Sequence, residues 1–180
     1  MRTPFRIALL GALCICLPAL ARADGLIHGI DGMTSTVMQE HQSSFSGLGL
    51  RVRLQSARLV SGLEIMPSVE YWRNSTTVQP FGISTSRSDA TLGADIRYSF
   101  RTSNWHPYLG GGIGMHFLSE RASGPGIGNR TDSIIKGGLA ALAGLTFGMT
   151  PKLDNFLEAK YHHLPGYSQL KINWGLSYTL

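Results

Sequence analysis

The chain of 180 residues carries 16 Lys and Arg against 11 Asp and Glu, a formal charge of +5, with 43% hydrophobic residues, 22 glycines and two cysteines. Leaving out Arg2, Arg6 and Arg22 of the apolar amino-terminal segment gives 13 basic residues against 11 acidic, a charge of +2, so the remainder offers no basic surface for nucleic acid. Cys14 and Cys16 both lie in that segment, which excludes disulfides and thiolate metal sites from the rest.

"MRTPFRIALLGALCICLPALARA" joins a positive start, an apolar stretch from Ile7 to Leu17 and a small-x-small site at Ala21-Arg22-Ala23. This is the pattern of a cleaved signal peptide over 1–23, too short to span a bilayer as a helix, and it leaves one domain over 24–180. Beyond it, alternation of period two dominates and no stretch is apolar for long enough to form a transmembrane helix.

"GLIHGIDGM" (25–33) alternates weakly and is followed by a loop at "TSTVMQEHQ". "FSGLGLRVRL" (45–54) sets Leu48, Leu50 and Val52 against Gly47, Gly49, Arg51 and Arg53. "LEIMPSVEYW" (63–72) sets Ile65, Val69 and Tyr71 against Glu64, Ser68 and Glu70. "ATLGADIRYSF" (90–100) sets Leu92, Ile96 and Tyr98 against Asp95 and Arg97, and "PYLGGGIGMHFL" (107–118) sets Leu109, Ile113 and Met115 against Tyr108, three glycines and His116. The later segments repeat the habit. They are 134–149, with Lys136 on the polar side; 156–163, with Glu158, Lys160 and His162; and 170–180, with Lys171 and Asn173. Each is close to the roughly nine to eleven residues that a tilted strand needs to cross a bilayer.

The connections alternate in length. Those at 55–58, 101–104 and 150–155 are short, whereas 73–88 and 119–133 are long and rich in Ser, Thr, Gly and Pro. Short periplasmic turns and long external loops characterise bacterial outer-membrane barrels. On that assignment the strand at 45–54 starts outside, so 25–33 must carry the chain outward as a first strand. The total is then eight, with both ends in the periplasm. The expected fold is all-β, an eight-stranded antiparallel up-and-down transmembrane β-barrel of the bacterial outer membrane.

Alternation alone does not say which face meets water, since a soluble lipocalin-like barrel would fill its cavity with the apolar set. Three features favour lipid outside. The polar face carries both charge signs, which predicts a luminal network of Arg51, Arg53, Glu64, Glu70, Asp95, Arg97, Lys136, Glu158, Lys160 and Lys171. The strand glycines share that face. The aromatics Tyr71, Trp72, Tyr98, Trp105, Tyr161, Trp174 and Tyr178 fall toward predicted strand ends, as interfacial girdles require.

"IRYSF...HPYLGGGIGMHF", "LAGLTFGMTPKLDNFLEAKYHH" and the closing "NWGLSYTL" resemble the outer-membrane β-barrel superfamily that includes the OmpA transmembrane domain, OmpX and the opacity-type proteins. The resemblance implies a barrel, with outer-membrane lipid, lipopolysaccharide and the barrel-assembly machinery as partners. It implies no particular activity. The preferred role is structural or surface-interacting, through external loops at 74–87 and 119–132. Two alternatives are a narrow pore through the luminal charges and a lipid A deacylase.

The deacylase alternative rests on "KYHHLPGYS" (160–168), which is similar to PagL-type lipid A deacylases in placing His163 outward near the external end of a late strand. A serine hydrolase needs a nucleophile within hydrogen-bond reach of a base that a third group orients. Pro165 occupies the expected nucleophile position, Ser168 reaches His163 only if the chain folds back, and no Asp or Glu follows residue 163. An interfacial histidine is the simpler reading, and no enzymatic activity is expected. His116 and His162, both on the inner face, are too few for a metal site, so neither metal nor cofactor is expected. The glycines of "GPGIG" and "YLGGGIG" lack the strand, turn and helix context of a phosphate loop.

Overall fold

The computed structural model describes residues 26–39, 44–55, 60–78, 82–100, 105–125 and 128–180. The expected signal peptide at 1–23, the turn at 101–104 and most of the turn at 55–58 lie outside the described residues. Eight strands follow in chain order: β1 (Ile27–Gln39), β2 (Phe45–Leu54), β3 (Leu63–Val78), β4 (Ile83–Ser99), β5 (Trp105–Gly124), β6 (Gly128–Gly148), β7 (Leu153–Leu164) and β8 (Tyr167–Thr179). Each pairs antiparallel with its neighbours, and β8 closes on β1 to complete a barrel.

The register fixes the shape. From Gly32 the pairing runs through Leu50, Val69, Leu92 and Met115 to Gly137 in one direction, and through Leu176 and Asn155 to Phe147 in the other. The two walks meet on β6 ten residues apart. For eight strands this stagger inclines each by about 40° to the barrel axis, within the range that closure requires.

The inside-out arrangement is explicit. Leu48 is 65% exposed and Ile113 64%, while Asp31 and Asp95 are 0% exposed. Apolar side chains form the outer surface and the ionisable ones fill the interior, as a hydrocarbon solvent demands. Glycines make room for this filling. A Cβ on Gly144 would run into the Tyr108 ring, and one on Gly175 into the Phe156 ring.

Several predicted boundaries need correction. The first strand runs past residue 33 to Gln39, into the expected loop, because the outward Thr34 and Thr36 still pair with Leu48, Trp174, Ser46 and Ile172. The expected external loops at 74–87 and 119–132 are mostly strand. The β3–β4 pairing extends to Val78↔Ile83 and the β5–β6 pairing to Gly124↔Gly128. Hydrophobic alternation stops there because both faces are wet, but cross-strand Ser and Thr pairs such as Ser75↔Ser86 continue the ladder.

Strands β3 to β6 therefore stand above the rest as a four-stranded wall. On the β7 side, pairing begins only at Leu139↔His163, so residues 128–137 of β6 run past it, about 33 Å of strand. Gly82 and Gly128, both at φ +62°, take the positive backbone angles where the wall's hairpins turn. At the top of β7, Pro165 and Gly166 (φ +71°) form a two-residue turn, with proline presetting the first angle and glycine accepting the second.

Candidate functional site

Two regions carry chemistry: the filled lumen and the wall. The lumen is organised in tiers. At the periplasmic end Arg53 approaches Asp31 Oδ1 (3.1 Å) and Glu64 Oε1 (3.6 Å), and Arg97 Nε donates to Glu64 Oε2 at 2.6 Å. Above them Arg51 donates to Glu158 Oε2 at 2.7 Å, and the same carboxylate accepts from Tyr108 Oη (3.0 Å) and Asn173 Nδ2 (2.8 Å). The guanidiniums of Arg51 and Arg97 lie 4.7 Å over the Phe156 and Tyr108 rings.

Next, Lys160 Nζ donates to Glu70 Oε1 (2.9 Å) and Asp95 Oδ2 (2.6 Å), while Lys171 Nζ donates to Glu70 Oε2 at 2.5 Å. Near the external mouth His116 Nδ1 lies 2.8 Å from Asp89 Oδ2 and 3.0 Å from Thr91 Oγ1. The His162 ring meets His116 edge-on at 5.0 Å. Gln39 and Tyr167 are hydrogen bonded across the opening, and Gln39 also reaches Gln169. Burying charges in this way is costly unless each is paired, and here each carboxylate faces at least one base.

Nine of the ten residues expected in the luminal network meet inside the barrel: Arg51, Arg53, Glu64, Glu70, Asp95, Arg97, Glu158, Lys160 and Lys171. Lys136 does not join them. It shares their parity, but it stands above the end of β7 and donates to the Pro165 carbonyl at 2.8 Å. Asp31, Asp89 and Tyr108 belong to the network in addition to the expected residues. The weak alternation of β1 hid Asp31, and Asp89 falls between the presumed loop 73–88 and the alternating segment that starts at Ala90. Tyr108 has the polar parity, but nothing in its own segment points to Glu158 as its partner. Among the described residues no three His, Cys, Asp or Glu side chains are placed to hold a metal ion.

Six of the expected girdle aromatics point outward: Tyr71, Tyr98, Trp105, Tyr161, Trp174 and Tyr178. Trp72 is the exception. At 2% exposure it points inward and packs on Phe45 (ring centroids 4.5 Å), because it follows Tyr71 and so takes the opposite face. Trp174 is outward but stands midway along β8, beside Leu157 and Thr34, and not at a strand end.

His163 and Ser168 form a directly opposed pair across β7 and β8, with Nδ1 and Oγ 3.2 Å apart on the outer surface. The tight turn at 165–166 supplies the approach that spacing alone did not. Among the described residues no carboxylate contacts the imidazole, and Glu158 faces the lumen, bonded to Arg51, Tyr108 and Asn173.

The wall is polar on both faces. Inside, Arg87 pairs with Glu120 at 2.9 Å and Arg130 with Asp132 at 3.1 Å, all four exposed. Outside, Ser and Thr alternate with Arg73 and Arg121, which donate to Ser86 Oγ (3.2 Å) and Thr131 Oγ1 (3.4 Å). Between residues 73 and 133 the described part of the wall holds four arginines, Arg73, Arg87, Arg121 and Arg130, against the carboxylates of Glu120 and Asp132 above the mouth.

Residues 7–179 match the protein family described as outer membrane protein beta-barrel domain. Among solved structures, Neisserial surface protein A is 18% identical with a TM-score of 0.58, over 84% of this chain and 95% of that one. Ail, the attachment invasion locus protein of Yersinia pestis, in complex with the heparin analogue sucrose octasulfate, is 17% identical with a TM-score of 0.58, over 86% of this chain and 100% of that one. The N-terminal β-barrel domain of Pseudomonas aeruginosa OprF is 10% identical with a TM-score of 0.58, over 86% and 98%. No curated protein matches the sequence significantly.

Proposed function

The chain belongs to the outer membrane β-barrel family, and from that premise we propose that its role is surface interaction, carried by the wall of β3 to β6 that stands clear of the bilayer. The observation that carries this reading is the wall's excess of arginine over carboxylate on a Ser- and Thr-rich sheet. Guanidinium forks suit planar or tetrahedral anions, and hydroxyls suit sugars. The partner class is an anionic, sulfated or phosphorylated saccharide outside the cell. The barrel beneath acts as a rigid mount, inserted from the periplasm by the barrel-assembly machinery and solvated by outer-membrane lipid.

Sucrose octasulfate, the ligand in the Ail complex, is a suitable probe. Titration of the detergent-folded protein is expected to show saturable binding that weakens as salt rises. Replacing Arg121 and Arg130 by alanine is expected to weaken it at least tenfold while heat-modifiable migration on gels persists. Unchanged binding by that double variant would remove the wall from the account.

The reading contains no catalytic step. The His163–Ser168 contact is taken as an interfacial polar pair, and Ser168→Ala is expected to leave the acyl pattern of cellular lipid A unchanged by mass spectrometry. A changed pattern would restore the deacylase alternative.

A further inference from the structure

A groove of about 730 Å³ runs along the outside of β1, β2, β3 and β8, on the external half of the barrel. Its floor is made of the small outward residues Thr34, Thr36 and Ser46, adjacent in the register. Leu48 and Tyr71 wall one side and Ile172 and Trp174 the other, opposite the same threonines. The Thr34 hydroxyl donates to the Trp174 carbonyl at 3.3 Å, so it is turned to the backbone and its methyl is left to the groove. The result is an apolar channel between large outward side chains.

Arg73 closes the outer end, as the next outward-facing residue of β3 after Tyr71. Its Nε donates to Ser86 Oγ, and among the described residues no carboxylate pairs with it, unlike Arg87 and Arg130. A second external groove, about 630 Å³ in the periplasmic half, is bordered by Leu109, Ala143, Leu145, Leu157 and Ala159 and, among the described residues, by no cation. The contrast separates a generic gap between lipid-facing side chains from one that ends under a guanidinium facing no carboxylate of the described residues.

We infer that this groove holds one acyl chain of the phosphorylated glycolipid of the external leaflet, lipid A, with the Arg73 fork on a phosphate oxygen. A guanidinium binds phosphate through two parallel hydrogen bonds and keeps its charge at every accessible pH. The groove lies in the half of the barrel next to the leaflet in which that lipid resides, and the register places Ser75, Ser86 and Ser88 beside Arg73 on β3 and β4. The inference needs the outer-membrane placement but not the polyanion partner proposed for the wall.

The test is native mass spectrometry of the detergent-folded protein with purified lipid A, lipid A stripped of phosphate, and phosphatidylglycerol. The wild type is expected to retain one lipid A. Arg73→Gln and the groove-filling Thr36→Trp are each expected to lower the bound fraction at least fivefold, and phosphate-free lipid A should bind the wild type no better than lipid A binds Arg73→Gln. Heat-modifiable migration checks folding; if Thr36→Trp does not fold, Arg73→Gln with the phosphate-free lipid decides alone. Undiminished retention by Arg73→Gln, or equal retention of phosphatidylglycerol, overturns the inference. Sucrose octasulfate binding by Thr36→Trp should stay at the wild-type level, which keeps the two proposals separable.

Discussion

Lys160 shows how much a single luminal residue holds together. Its ammonium contacts Glu70 and Asp95, which come from strands far away in sequence and on the opposite wall. Lys160→Met removes the charge and leaves two buried carboxylates short of a partner, an effect of about 3–5 kcal/mol. Equilibrium urea unfolding in lipid vesicles should show that loss, and adding Glu70→Gln and Asp95→Asn should recover part of it. The sequence reveals that these residues face inward, through parity. It does not reveal which of them meet, because that depends on the ten-residue stagger, a property of the closed sheet and not of any segment. The three tryptophans give a second check at this scale. In single-tryptophan variants, lipid brominated along its chains should quench Trp174 strongly and Trp105 less, and leave Trp72, inside the barrel, unquenched.

Among the elements, legibility follows solvent. Where one face of a strand meets lipid and the other a packed polar lumen, the contrast between neighbours is large, and β2, β4, β5 and β8 can be placed from sequence across the bilayer. Above the mouth both faces meet water and the contrast vanishes, so 74–87 and 119–132 look like loops although they are paired strands. This predicts that the wall is dispensable for folding. Replacing residues 76–85 by a two-residue Asn-Gly turn shortens the β3–β4 hairpin without touching the buried network, and heat-modifiable migration should survive. Loss of that migration would mean that the wall helps to nucleate the barrel. Candidate binding surfaces are correspondingly hard to read in advance. Arg73 lies in what looks like a loop, and its place above Thr36 and Trp174 emerges only from the pairing of four strands.

At the level of the whole molecule, a barrel of eight strands has an interior that side chains fill. Arg51, Tyr108, Phe156 and Glu158 occupy its middle and are all essentially inaccessible. Planar bilayers containing the wild-type protein are therefore expected to show no discrete conductance steps. The double variant Tyr108→Ala with Phe156→Ala should introduce them if it folds. Steps in the wild type would call for a rearranged lumen and revive the pore alternative.

The run of β6 past β7 gives the mouth a slope, high over β3 to β6 and low over β7, β8 and β1. A bilayer has no preferred direction within its own plane, but a sloping collar supplies one. A large visitor descending on the cell is shielded from the lipid on one side and admitted to it on the other, so the azimuth of approach becomes part of recognition.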